Sequence, residues 1–309
     1  MSRPTPERFA AIDIGTNTIL LTVAEWRPDG LLVPLHEEAH ITRIGEGLAQ
    51  RSSFSPAAMT RTLDVLRAYA ATAKAFHVAQ IATVGTAAFR QATNRRAFCD
   101  AVRKACGLEI QTISGEEEAR LSFHAAAHDF GEEIVVLDIG GGSTECIWTA
   151  AESIEGHSFP LGSVTLQETY GQSDPISPEA FAAMQREIRG AIGMIQSAMQ
   201  RHPPQLVALA GTATTLAAMH LELQTYAHDQ VHGTLLSLET MATLVDRLRR
   251  ATIAERKAMP GLESARADVI LSGALLLLET MQMLHYDRVT ISDRGVRWGL
   301  LYEAAATLA

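Results

Sequence analysis

Apolar residues along this chain fall into short continuous runs that stop at an acid, and into longer stretches where they recur every three to four residues. Val135-Val136-Leu137 is a run of the first kind. It ends in Asp138-Ile139, turns through Gly140-Gly141-Gly142-Ser143-Thr144, presents Glu145 and resumes as Cys146-Ile147-Trp148. That pattern predicts a strand, a tight turn and a strand. Ala11-Ile12-Asp13-Ile14-Gly15-Thr16-Asn17-Thr18-Ile19-Leu20-Leu21 has the same grammar, with Thr18 falling where Ser143 falls. Two copies point to an internal duplication. If each copy opens one half of the molecule, the two loops can face each other across a cleft.

The remaining pattern is one of alternating strands and helices. The first hairpin runs from Phe9 to Trp26, and a strand-like region follows from Leu31 to Arg43. After the turn Ile44-Gly45-Glu46-Gly47-Leu48, Ser55-Pro56 opens a helix to about Phe76, with serine as N-cap and apolar spacing at Leu63, Leu66, Tyr69 and Ala70. Val78–Val84 reads as a strand, Thr86–Cys106 as mostly helix and Leu108–Ile113 as a strand, followed by a helix after Ser114. Past the second hairpin, Phe159-Pro160-Leu161-Gly162-Ser163-Val164 turns into a helix, and Ser177-Pro178 starts an amphipathic one reaching about Gln200. Its methionines Met184, Met194 and Met199 are expected to fill core. Leu206–Ala210 is a further strand, running into Gly211-Thr212-Ala213-Thr214-Thr215-Leu216. Such alternation indicates an α/β fold with mixed sheets.

The turns suggest chemistry. Glycines let the backbone approach an oxyanion closely, Ser143 and Thr144 add hydroxyl donors, and Asp138 and Glu145 would repel a phosphate unless a divalent cation or a water intervenes. A purely structural glycine-rich hairpin is the alternative for either copy alone. Gly211 and Thr212, at a strand–helix junction, offer a third place for an anion at a helix N-terminus. Arg90, just past a strand end, is either a solvated helix arginine or a ligand-facing one. In Ser114-Gly115-Glu116-Glu117-Glu118, a capping box accounts for Glu117 and the helix dipole for Glu116. Glu118 is left over, one turn into the helix beside the stripe Ala119, Phe123, Ala126, Phe130, where a carboxylate can take a proton from an attacking water. His124 and His128 are spaced as a metal pair but lack an acid between them, and read as exposed.

Composition narrows the partners. With 26 Lys and Arg against 35 Asp and Glu, the net charge of −9 disfavours nucleic acid or an acidic membrane as partner. Only Lys74, Lys104 and Lys257 are lysines, so an anionic substrate would be met by arginine, the better bidentate partner for phosphate. Cys99, Cys106 and Cys146 form no Cys-x-x-Cys, which suits a reducing cytoplasm. The polar stretch Met1–Arg8 does not read as a signal peptide, and Val269–Leu278 is too short to span a bilayer. A soluble, cytoplasmic protein is expected. Its C-terminal helices, including Leu271–Met283, suit either a core or a homodimer face.

In order and spacing, these pieces resemble the exopolyphosphatase and guanosine pentaphosphate phosphohydrolase family, within the actin, sugar-kinase and Hsp70 ATPase superfamily. The matching segments are residues 13–18, Arg43-Ile44-Gly45-Glu46-Gly47, Thr86–Arg90 with Asn94, Ser114–Arg120 and residues 138–145. They continue with Leu161-Gly162-Ser163-Val164, Gly211–Thr215, Val231-His232-Gly233, Arg266–Ile270 and Ser292-Asp293-Arg294-Gly295. The resemblance implies two ribonuclease-H-like (actin-like ATPase) domains with the active site in the cleft between them. We place these at 1–128 and 129–309, with the last helix able to pack back on the first domain. It further implies Glu118, Asp138 and Glu145 as catalytic residues, with Glu118 activating water. Asn17, Thr18, Arg90, Gly141, Gly142, Ser143 and Thr144, joined by Gly211 and Thr212, are the phosphate-binding set. Asp138, Glu145 and Asp13 are the metal set, for Mg²⁺ or another hard divalent cation such as Mn²⁺.

The expected activity is metal-dependent hydrolytic release of terminal orthophosphate from inorganic polyphosphate. The alternative substrate is guanosine pentaphosphate, as in the stringent response. A polyphosphate or nucleotide phosphotransferase, or a non-catalytic guanosine tetraphosphate sensor, are lesser alternatives. Two departures stand out. Members often end Gly-Leu-Arg-Glu-Gly where this chain has Gly295-Val296-Arg297-Trp298-Gly299, and the sequence stops at Ala309 without the extra domains of longer members. Preference for short polyphosphate chains is the expectation that follows.

Overall fold

The computed structural model describes residues 7–27, 29–150, 153–199 and 203–307, so most of the N-terminal polar stretch and Gln200 lie outside the described residues. These residues form two compact units. One comprises the chain up to Leu121 together with the segment from Val296, and the other is Ser122–Gly295.

In the first unit, β1 (Glu7–Ile14) and β2 (Thr18–Trp26) make the expected hairpin and β3 (Leu32–Ile41) extends it antiparallel. Then come α1 (Leu48–Arg51), α2 (Pro56–Ala75), β4 (Gln80–Gly85), α3 (Ala87–Gln91), α4 (Arg95–Cys106), β5 (Gln111–Thr112) and α5 (Gly115–Phe130). β4 and β5 join parallel to β1, giving the order β3-β2-β1-β4-β5. The α2 start is as its sequence dictates: Pro56 sits in the first turn and the Ser55 hydroxyl accepts from the Ala58 N–H at 3.2 Å. Strand alternation sorts the core. Ala10, Ile12 and Ile14 face α2, α3 and α4 with Leu66, Tyr69, Phe89 and Phe98, while Phe9 and Ala11 face the opposite side.

The chain passes to the second unit inside α5. There follow β6 (Ile134–Ile139), β7 (Thr144–Ala150), β8 (Ser153–Phe159), α6 (Ser163–Tyr170), α7 (Pro178–Ala198), β9 (Gln205–Leu209), α8 (Ala210–His220), α9 (His228–Val231), β10 (Leu235–Ser237), α10 (Leu238–Arg250), α11 (Ile253–Arg256), α12 (Ile270–Met283) and β11 (Arg288–Ile291). The sheet order is β10-β11-β9-β6-β7-β8. Apart from β10, it repeats the first sheet: an antiparallel β6-β7-β8 meander with β9 and β11 added parallel. Every residue of β6 is buried, as in a strand covered on both faces. Finally α13 (Val296–Ala306) returns to the first unit, where Leu301 packs on Phe9, Ala11 and Ala24.

Some expectations shift. Leu108–Ile113 supplies only the two-residue strand Gln111–Thr112, and Leu108 is buried in the core ahead of it. The exposed strand β8 follows the second hairpin without an apolar run to announce it. On α7, Met184 and Met199 are core, whereas Met194 is 58% exposed. α12 is buried from Ile270 through Met281, so its apolar face is core and not a dimer surface. Among the described residues no helix is long and apolar enough to cross a membrane.

Candidate active site

Both hairpin turns are built the same way. The Gly15 N–H donates to Thr18 O at 3.0 Å, and the Gly140 N–H donates to Ser143 O at 3.0 Å. A Cβ on either glycine would press on that same carbonyl, at 3.1 and 3.0 Å. The register also repeats, with Asp13 opposite Leu20 and Asp138 opposite Glu145.

A downstream segment then ties up the carbonyls of each turn. In the second unit, Gly140 O accepts from the Ser163 N–H at 3.0 Å, and Gly141 O accepts from the Val164 and Thr165 N–H groups at 2.9 and 3.2 Å. In the first unit, Thr16 O accepts from the Gly45 N–H at 3.0 Å, and Asn17 O accepts from Thr42 and Arg43 at 3.1 and 2.9 Å. A trans peptide sets its N–H opposite its C=O. Tethering these carbonyls therefore turns the N–H groups of Gly141 and Gly142, and of Asn17 and Thr18, the other way. Gly162 is pressed so closely on the Gly141–Gly142 backbone that a Cβ has no room, and a Cβ on Gly45 would meet the Thr16 side-chain methyl. This is the physical role of the Arg43–Gly47 and Leu161–Val164 segments.

In the first unit, the turn, the start of α3 and the start of α5 all follow the C-terminal ends of the parallel strands β1, β4 and β5. Arg90 is not a solvated arginine. Its Nη1 donates to Glu118 Oε2 at 2.6 Å and to Ile113 O at 3.2 Å, with side-chain exposures of 25% for Arg90 and 10% for Glu118. Gly85 admits the Phe89 ring where a Cβ would stand, which seats α3 close to the strand end. Glu117 is structural: its N–H donates to Ser114 Oγ, and Arg120 holds its carboxyl below the usual carboxylate range. Asn17 is buried, and its Oδ1 has no hydrogen-bond partner among the described residues, as befits a side chain that completes its bonding with a ligand or water. Asp13 is half-buried on β1, beside that turn.

In the second unit, Asp138 and Glu145 are directly opposite on adjacent antiparallel strands, so their side chains lie on one face of the sheet. Both are buried. The Ser122 hydroxyl donates to Asp138 Oδ2 at 2.6 Å and the Ser158 hydroxyl to Glu145 Oε1 at 2.8 Å. Burial pushes the Asp138 carboxyl above its ordinary range, and the Ser122 hydrogen bond opposes that rise. Ser143 and Thr144 are buried, and the Thr144 hydroxyl donates to Leu161 O at 2.7 Å. Cys146, beside Glu145, is pushed up to about 12 by burial and is inert as a thiol.

Leu209 is in register with Asp138, so the Gly211–Thr215 junction leaves the same end of the sheet as the 140–143 turn. Ala210 holds a left-handed φ of 67°, and the Arg266 guanidinium occupies the space a Cβ on Gly211 would need. The Thr214 and Thr215 hydroxyls donate back to helix carbonyls, and Thr212 packs against Gly273 of α12. The Val231–Gly233 and Ser292–Gly295 segments join at this end too. His232 Nδ1 accepts from the Asp293 N–H at 3.3 Å, and Arg294 Nη1 pairs with Asp129 Oδ1 at 2.7 Å.

The strand, turn and capping patterns of the sequence do not mark Ser122 or Ser158. Ser122 carried one signal, its position one helical turn after Glu118 on α5, whereas Ser158 lies in a strand without an apolar pattern. His124 and His128 are exposed on α5. Trp298 is 1% exposed and fills core, and Arg297 beside it pairs with Glu37 at 3.4 Å.

The chemistry of the acid pair fits a hard cation. Two carboxylates facing each other out of water, one with a raised pKa, are an unfavourable arrangement that a hard cation relieves, and oxygen donors suit such an ion. Among the described residues no three acids, histidines or cysteines are gathered into a metal-holding group. An ion held here would rest on Asp138 and Glu145, with water and substrate oxygens completing its shell, the usual habit of Mg²⁺.

Residues 22–308 match the model of the Ppx/GppA phosphatase family. The chain is 31% identical over 317 residues to exopolyphosphatase 2 of Mycobacterium tuberculosis, covering 96% of this chain and 98% of that protein. The crystal structure of the Aquifex aeolicus member of the Ppx/GppA family matches with a TM-score of 0.84 at 30% identity, covering 98% of this chain and 99% of that one. An exopolyphosphatase from Cytophaga hutchinsonii matches with a TM-score of 0.90 at 26% identity, covering 97% and 98%. The two-sheet α/β architecture is that of these proteins, the actin-like ATPase fold.

Proposed function

The chain belongs to the Ppx/GppA phosphatase family, and from that premise we propose that this hydrolase of phosphoanhydride bonds releases terminal orthophosphate from inorganic polyphosphate. The observation that carries the reading is the 140–143 turn. Its carbonyls are held by the start of α6, its Gly141 and Gly142 amides are turned outward, and the buried Asp138–Glu145 pair stands at its base.

In this reading the outward amides and the Ser143 hydroxyl bind terminal phosphate oxygens, as do Asn17, Thr18 and Arg90, while the Thr144 hydroxyl, whose proton goes to Leu161 O, holds the turn that presents them. Gly211 and Thr212 extend that set along the same end of the second sheet. Glu118, oriented by the Arg90 guanidinium it pairs with, accepts the proton of the attacking water. Arg90 fixes the direction of that carboxylate and lends positive charge to a substrate made of phosphates. Phosphoryl transfer asks mostly for positioning and charge neutralisation, and these groups supply both. Asp138 and Glu145 would hold Mg²⁺ or Mn²⁺, whereas Asp13 forms no three-acid group with them among the described residues. Such an ion supplies charge neutralisation on phosphoryl oxygens and acidifies bound water.

The test is phosphate release from short and long polyphosphate, and from guanosine pentaphosphate, with Mg²⁺ and with chelator, for wild type and Glu118→Ala. Metal-dependent release from short polyphosphate that collapses in the variant supports the proposal. Release from guanosine pentaphosphate alone would move the substrate to the alternative. No release from any of them would refute a hydrolytic role for this site.

A further inference from the structure

Each sheet ends in two edge strands, and an unprotected edge is a template for pairing with another chain. Three of the four edges are blunted. β5 has two residues and β10 three, while β3 carries Pro34, a register shift opposite Val23 and Ala24, and the charged run His36-Glu37-Glu38. β8 has neither the short length of β5 and β10 nor the proline, register shift and consecutive acids of β3. It is seven residues long, pairs with β7 in unbroken register, contains no proline or lysine, and exposes six consecutive residues, including Ile154 at 40%.

Its sequence, Ser153-Ile154-Glu155-Gly156-His157-Ser158-Phe159, is arranged symmetrically about a glycine. We propose that β8 pairs antiparallel with β8 of a second copy about a twofold axis through Gly156, joining the two six-stranded sheets. In that register Glu155 stands opposite the partner's His157 and His157 opposite the partner's Glu155, two identical acid–imidazole pairs flanking a centre with no side chain. Ile154 then stands opposite the partner's Ser158. A twofold axis at position 155 would set glutamate against glutamate, and one at 157 histidine against histidine, so the complementary register is also the selected one. The interface is isologous and closes as a dimer.

The β8 side chains are prepared for this. Glu155 and His157 lie on the face shared with Trp148 and Cys146, and the His157 ring is held between Trp148 at 5.9 Å and Phe159 at 6.2 Å. Neither Glu155 nor His157 belongs to the proposed phosphate or metal sets, so the inference stands apart from the function proposed above.

The experiment is light scattering across a concentration series for wild type, Glu155→Lys, His157→Glu and the double charge swap, with folding checked by circular dichroism. Wild type should shift from monomer to dimer as concentration rises, and the amide protons of β8 should exchange more slowly in the dimer. By symmetry His157→Glu sets glutamate opposite glutamate twice, and Glu155→Lys removes the acid from both acid–imidazole pairs; the first should raise the apparent Kd about tenfold or more and the second should raise it less. The double swap restores both pairs and should return dimerisation to near the wild-type range. A chain monomeric at every concentration overturns the proposal. So does a dimer indifferent to the single variants, or one that the double swap fails to rescue.

Discussion

Glu118→Gln separates the catalytic role of this residue from its structural one. The substitution keeps the shape of the side chain and an oxygen for the Arg90 Nη1 donor now at 2.6 Å, but removes the charge. A hydrogen bond to a charged group is worth about 1.5–3 kcal/mol net, and in the variant the bond from the Arg90 guanidinium to a neutral amide oxygen falls toward the low end of that range. With Arg90 one-quarter exposed, the stability cost comes to about 1 kcal/mol, or about 2 °C in Tm for a protein of this size. The amide cannot take a proton from water, and loss of a general base costs about 10²–10⁴ in rate, equivalent to about 3–5 kcal/mol of barrier. The functional loss should therefore exceed the structural one severalfold. The assay is kcat and KM for phosphate release from short polyphosphate beside a thermal melt. A kcat within tenfold of wild type, with the same small Tm shift, would refute Glu118 as the group that activates water.

Arg90→Ala and Glu118→Ala should be coupled in a double-mutant cycle of thermal stability by about 1–2 kcal/mol, because each removes the other's partner; additivity within a few tenths would deny the ion pair. Asp138→Asn should abolish activity yet stabilise the chelator-treated protein at neutral pH. A folded carboxyl whose pKa is raised contributes stability below its ordinary value and loses it as pH rises through the raised one. The advantage of the variant should thus be small near pH 4, about the ordinary aspartate value, and grow toward pH 7. The opposite trend in paired denaturant titrations would contradict the burial argument. Ser122→Ala removes the hydrogen bond that opposes this rise, so the acidic limb of the pH–rate profile should move to higher pH. An unmoved limb would remove Asp138 from the titrating step. Gly162→Ala forces a Cβ into the Gly141–Gly142 backbone and should cost about 1–3 kcal/mol and raise KM; an unaltered KM would mean that the turn amides do not bind substrate.

By itself the sequence determined the local grammar. Alternation and abrupt acid–glycine stops marked both hairpins, Ser55-Pro56 and Ser177-Pro178 marked two helix starts, and the repeated Asp-Ile-Gly disclosed the duplication that the two sheets carry in full. These are features of neighbouring residues, set by backbone sterics and by hydrogen bonds over a few positions. Groups far apart in sequence were decided only by tertiary structure. Whether Arg90 is solvated or ligand-facing stays open in the sequence because its carboxylate partner lies 28 residues away. Ser122 was silent until α5 was packed beside β6, and β8 was silent because an exposed edge strand needs no apolar pattern. The direction of the turn amides was also out of reach. Three glycines permit many turn conformations, and only the hydrogen bonds from Ser163, Val164 and Thr165 select the one whose Gly141 and Gly142 N–H groups point away from α6.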